Sequence, residues 1–119
     1  MDNKEFGKQL ETRTKKFAIE IIILSSSLPG SPEGLVIRNQ VTKSGTSIGA
    51  NYREANRARS KADFSNKMKI SESEASETAY WLEIIEELKW ANQTKVNTML
   101  KEVNELLAIF SASGKTLRL

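Results

Sequence analysis

The amino-acid sequence predicts an all-α fold, an up-down-up-down antiparallel four-helix bundle forming a single domain over residues 1–119. Three observations carry the prediction. Apolar residues recur at three- and four-residue steps over long stretches. Strand-like alternation is absent. Glycine and proline are scarce, 6 and 2 in the chain, so breakers punctuate the pattern at few places.

The first helix is expected from about Lys8 to Leu28, because Leu10, Phe17, Ile21, Leu24 and Leu28 fall on one side. Ser25 to Gly30 is a breaker cluster. Ile19 and Ile23 fall on the face opposite that stripe, with Ile22 between, and a helix that is apolar on both sides needs a second partner. Ser31-Pro32-Glu33 reads as an N-cap, a proline in the first turn and an acid near the positive helix end. The second helix then runs from Pro32 to about Arg59, with Ile37, Val41, Ser44, Ile48 and Ala55 as its core stripe and Asn51 beside it. Gly45 and Gly49 each cost about 1 kcal/mol of helix propensity against alanine, which implies a packing reason. The expectation is that this small-residue face meets the bulkier third helix in a close hairpin.

Ser60-Lys61-Ala62-Asp63 has the spacing of a capped start, placing the third helix at about Lys61 to Trp90 after almost no loop. It carries Phe64, Met68, Ala75 and Leu82 on one side and Ile70, Trp81, Ile84 and Leu88 on another, a wider arc than one bundle core needs. Asn92 or Thr94 caps the fourth helix, about Thr94 to Ala112, with Val96, Met99, Leu100, Val103, Leu106, Leu107 and Phe110 on one face. Gly114 reads as its stop and Lys115 to Leu119 as a frayed tail. Helices of about 25 residues span about 37 Å, so the bundle should be elongated.

The chain has room for one module and not for a second, catalytic domain. It contains no cysteine and no histidine, which removes disulfides, thiolate chemistry, the commonest zinc ligands and every triad that runs through an imidazole. Ser44, Ser47 and Ser60 have no base beside them, and Gly45 and Gly49 lie inside a helical pattern, not in a phosphate-binding loop. Glu74 and Glu77 are one turn apart, but di-metal bundles pair such acids with histidine. Pairing with Arg53 or Arg57 is the expectation instead. No catalytic residue, metal or cofactor is expected, and the protein is read as a non-enzyme. The N-terminus is charged, and Ile21 to Leu24 is far shorter than a membrane span, so a cytoplasmic location and no membrane partner are expected.

Charge is unevenly placed. The total is +3, from 18 Lys+Arg against 15 Asp+Glu. Between Arg38 and Lys69 the chain carries Arg38, Lys43, Arg53, Arg57, Arg59, Lys61, Lys67 and Lys69 against Glu54 and Asp63; from Glu72 to Glu87 every charged residue is an acid. One end of the second and third helices is therefore strongly basic. It reads either as a solvated helix end, with arginines paired to acids of a neighbouring subunit, or as a polyanion-binding surface.

The segments Arg38 to Val41, Ser44 to Ala55, Ser60 to Phe64 and Glu74 to Leu82 together resemble the bacterial 23S rRNA intervening-sequence protein family of small four-helix-bundle proteins. That family is similar to the accessory variability determinant of diversity-generating retroelements. The resemblance implies a ring-like homopentamer without enzymatic activity. Its retroelement relatives imply binding of nucleic acid and of a reverse transcriptase through a basic surface. The candidate nucleic-acid-binding residues are Arg53, Arg57, Arg59, Lys61, Lys67 and Lys69; the candidate oligomer-interface residues are Ile19, Ile23 and Trp81. The alternative is a structural or protein-interaction oligomer whose basic end meets an acidic protein partner, with no nucleic-acid role.

Overall fold

The computed structural model describes residues 3–117. Four helices follow one another: α1 (Asn3–Ser26), α2 (Pro32–Ala55), α3 (Lys61–Leu88) and α4 (Gln93–Leu117). Short connections make successive helices antiparallel, giving an elongated bundle of 44 × 26 × 21 Å. Helix α2 packs on both α1 and α3, and α3 packs on α4, while the α1–α4 side is more open. There Arg13 bridges the gap, its Nε and Nη2 donating to Glu102 at 2.6 and 2.7 Å and Nη2 also to Glu105 at 2.6 Å.

The helix ends have identifiable causes. Ser31 Oγ accepts from Gly34 N (3.1 Å), Ser60 Oγ from Asp63 N (3.0 Å) and Asn92 Oδ1 from Lys95 N (3.0 Å), each satisfying an otherwise orphaned donor. Helix α2 ends at Ala55, not near Arg59, because bonds from Arg57 N to Glu54 O and from Ala58 N to Ala55 O tighten the chain into a turn. A real connection therefore separates α2 from α3. Helix α3 stops at Leu88, not Trp90. Lys89 adopts the left-handed conformation (φ 56°), and its N–H and that of Trp90 return to the carbonyls of Glu86 and Ile85, a Schellman closure made without the usual glycine. At the chain ends, α1 begins at Asn3 and closes at Ser26. Helix α4 begins at Gln93 and continues through Gly114 to Leu117, so Gly114 is not the stop that its residue type implied. Of the tail read as frayed, Arg118 and Leu119 lie outside the described residues.

The core is built from most of the expected stripes, with Ile37, Phe64, Leu100 and Leu107 half-buried at its edge and the unexpected Ile85 fully buried, plus a polar seam. Leu10, Phe17, Ile21, Leu24 and Leu28 are all buried, as are Val96, Met99, Val103, Leu106 and Phe110 across the bundle. Tyr52, outside the expected α2 stripe, is buried with its ring 5.7 Å from Phe110. Between α2 and α3, Ser71 donates to the Ile48 carbonyl (3.0 Å). Thr78 donates to the Glu74 carbonyl (2.7 Å), and its oxygen lies 2.9 Å from Ser44 Oγ. The two contacts that cross between the helices, Ser71 to Ile48 and Thr78 to Ser44, are polar and buried, so they fix register as well as closeness.

The small-residue face of α2 meets α1, not α3. A Cβ on Gly45 would stand 2.8 Å from Ile21 Cγ1, and one on Gly49 would stand 2.9 Å from Thr14 Oγ1. Gly45 and Gly49 follow Ser44 and Ile48 by one residue, about 100° around the helix, and that step turns them from α3 to α1.

Candidate nucleic-acid interface

The α2–α3 turn gathers the cations at one end of the bundle. Arg53 lies in the last turn of α2, Arg57 and Arg59 in the connection, and Lys61 at the first position of α3; all four are exposed. Lys67 follows on α3, half-buried. Lys61 stands at the positive end of the α3 dipole, so the backbone there adds to the field of the side chains. Lys69 departs from the group. Two positions from Lys67 is about 200° around a helix, and Lys69 lines a separate groove with Glu72, Glu77 and Tyr80.

The pairing expected from the sequence is replaced by another. Arg53 Nε lies 3.5 Å from Glu11 Oε1, and Glu11 Oε2 accepts from Asn56 Nδ2 at 3.0 Å. Glu77 instead accepts from the Trp81 indole N–H at 3.3 Å. The α2–α3 register explains the change: Ser71 meets Ile48 and Thr78 meets Ser44, so Glu77 sits level with Lys43, more than two turns from Arg53, and Glu74 about level with Thr46, nearly two turns from it. Burial, followed by the neighbouring Glu77 charge, pushes the Glu74 carboxyl above its ordinary value, with Lys43 opposing. Among the described residues Arg57, Arg59, Lys61 and Lys67 form no ion pair.

A second groove runs along the α1/α2 side. Thr14, Ala18, Gly49 and Ala50 line it together with Lys8, Glu11, Lys15 and Arg53. Lys8 and Lys15 were not singled out from the sequence. Their signal was present: they stand seven residues apart, on one flank of α1, beside the small residues of that helix.

Towards the other end the surface turns apolar. Ile19 and Ile23 are 50% and 53% exposed, as their position opposite the core stripe implied. Ile22 (49%) on α1 and Leu35 and Val36 near the start of α2 are also exposed. Trp81 is half-buried against the core, with the Tyr80 ring edge-on at 5.1 Å. No described helix is long and apolar enough to cross a membrane.

Fold and surface define a small helical-bundle protein with a basic end and an uncovered apolar face. The chain belongs to the 23S rRNA-intervening sequence protein family, whose sequence profile matches residues 9–112. It is similar to a protein of unknown function from the S23 ribosomal protein family of Bacteroides thetaiotaomicron. The two are 34% identical, with a TM-score of 0.81 over 88% of this chain and 97% of the other. No curated protein matches the chain.

Proposed function

We propose that the protein is a non-enzymatic, homo-oligomeric cytoplasmic module that binds RNA or DNA through the basic end of its bundle. The carrying observation is the grouping of Arg57, Arg59, Lys61 and Lys67, with Arg53 beside them, where among the described residues Arg53 alone has a carboxylate partner. One protomer offers few phosphate contacts. An oligomer repeats the patch, and repeated weak contacts bind a long polyanion far more tightly than one does.

The exposed Ile19, Ile22 and Ile23 on α1, with Leu35 and Val36 on α2, support assembly, since large apolar side chains left open to solvent on neighbouring helices favour burial against a partner. The number five comes from the family resemblance. So does kinship with the accessory variability determinant, and with it a reverse transcriptase as a protein partner.

Fluorescence anisotropy with labelled RNA and DNA oligonucleotides tests the reading. Binding should fall steeply between about 50 and 200 mM salt, because it is driven by counterion release. R59E/K61E/K67E should abolish binding while light scattering still finds the oligomer. Absence of wild-type binding at low salt would overturn the nucleic-acid reading and leave an acidic protein as the partner of that end. A 13.3 kDa monomer in solution would overturn the assembly.

A further inference from the structure

The α1/α2 groove, about 480 Å³ in volume, has the chemistry of a second and more selective polyanion contact. Lys8 and Lys15 stand on one flank, about 10 Å apart along the axis from the rise of 1.5 Å per residue. Arg53 faces them from α2. The level is set by the helix pairing: Gly49 abuts Thr14, and one turn further along α2 brings Arg53 to Glu11. The Thr12 hydroxyl adds a donor at the rim. Glycine and alanine keep the floor low, so a bulky backbone can approach it.

The groove is also specific in what it lacks. None of the described residues lining it is aromatic or large and apolar, so bases have nothing to stack on there. Helices packed through small residues have axes about 8–10 Å apart, and a groove between them admits one strand edge-on but not a duplex. Glu11 is the single acid among the described residues that line it. Its contact with Arg53 is a long one, 3.5 Å, between side chains 31% and 55% exposed, and an incoming phosphate can displace it.

We propose that this groove holds the sugar-phosphate backbone of a single-stranded polynucleotide, with phosphates at Lys8, Lys15 and Arg53, and that Glu11 is a built-in competitor occupying Arg53 until a phosphate replaces it. The inference rests on the nucleic-acid reading above, and Arg53 joins the two surfaces.

The test uses the full chain and a fluorescein-labelled oligouridylate of about fifteen nucleotides at low salt, with a duplex of equal length as the second probe. K8Q/K15Q should weaken single-strand binding at least tenfold and make its salt dependence shallower by about 1.4 in log–log slope, or 0.7 per lost contact. Duplex binding should not change. E11Q should tighten single-strand binding severalfold by freeing Arg53. All three positions are on the surface, and thermal melts confirm the fold of each variant. If K8Q/K15Q binds the single strand like wild type while R59E/K61E/K67E does not bind, the groove is refuted and the basic end stands. An E11Q affinity equal to wild type refutes the competitor role. If the wild type binds neither probe, the underlying reading falls.

Discussion

Gly45→Ala should destabilise the protein in the wild-type background and stabilise it once Ile21 is truncated. A Cβ at position 45 would lie 2.8 and 2.9 Å from Ile21 Cγ1 and Cγ2 and 3.2 Å from Ile21 Cβ, whereas ordinary carbon contacts begin near 3.4 Å. Ile21 is fully buried and has little room to yield. Overpacking of this kind costs about 1–3 kcal/mol, while replacing a mid-helix glycine by alanine returns about 1 kcal/mol of propensity. The net single-variant effect is then a loss of about 0–2 kcal/mol. Ile21→Ala alone should cost about 2–5 kcal/mol through lost burial and a cavity. In that background the two clashing γ carbons are gone, so Gly45→Ala regains its propensity and fills part of the void. The coupling between the sites should be about 1–3 kcal/mol, as for residues in direct contact. Urea unfolding of the four proteins, followed by circular dichroism at one fixed concentration because assembly shifts apparent stability, measures the cycle. Equal effects of Gly45→Ala in both backgrounds would show that α1 and α2 do not approach closely at Gly45.

Gly49→Leu should cost about 1–3 kcal/mol or more, because Thr14 is held by its bond to the Leu10 carbonyl at 2.9 Å and its main chain is part of the obstruction; an unchanged melting temperature would contradict this. Lys89→Gly should stabilise by about 0.5–1 kcal/mol, since glycine adopts the left-handed cap without a Cβ penalty, and a drop in melting temperature would contradict it. The Arg13 hydrogen bond holds the Glu102 carboxyl below its ordinary value. Its contribution is therefore complete above the unfolded carboxylate value of about 4.3 and is lost as pH falls through the folded one. Arg13→Gln should flatten the acid limb of the stability profile. Glu74 has the opposite sign: its raised value disfavours the ionised form, so Glu74→Gln should be neutral or stabilising at pH 7. Ile19→Asp with Ile23→Asp should dissociate the oligomer in light scattering while the helical signal persists, because neither side chain belongs to the protomer core.

Large apolar residues at helical spacing made α1 and α4 legible in advance, and every stripe residue placed on α1 is buried. Helix α2 was legible as a helix but not in its partners. Small residues announce close packing without naming the neighbour, and a one-residue offset between Ser44 and Gly45 decides between α3 and α1. Tyr52 was missed because its burial depends on Phe110 from the far end of the chain. Ser71 was missed because a hydroxyl is tolerated in a core only where an acceptor waits, and its acceptor, the Ile48 carbonyl, appears with the fold; Thr14 and Thr78 bond the carbonyl four residues back in their own helices, which lets them be buried without announcing it. The candidate interface divides in the same way. The cations contiguous in sequence were visible as a basic run, whereas Lys8 and Lys15 join Arg53 only because an antiparallel bundle lays the start of α1 beside the end of α2.

That antiparallel register also separates the two surfaces along the bundle. The exposed Ile22, Ile23, Leu35 and Val36 flank the α1–α2 connection, and Arg57, Arg59 and Lys61, which have no ion-pair partner among the described residues, stand in the α2–α3 connection and at the start of α3 at the opposite end. On the proposed reading, protomers can cover their apolar faces without bringing their basic ends into direct contact, so assembly leaves the cations open to a phosphate backbone. Charge reversal at one end and charge insertion at the other should consequently be separable: the first removes binding from an intact oligomer, and the second yields protomers that retain the patch but lose its multiplicity.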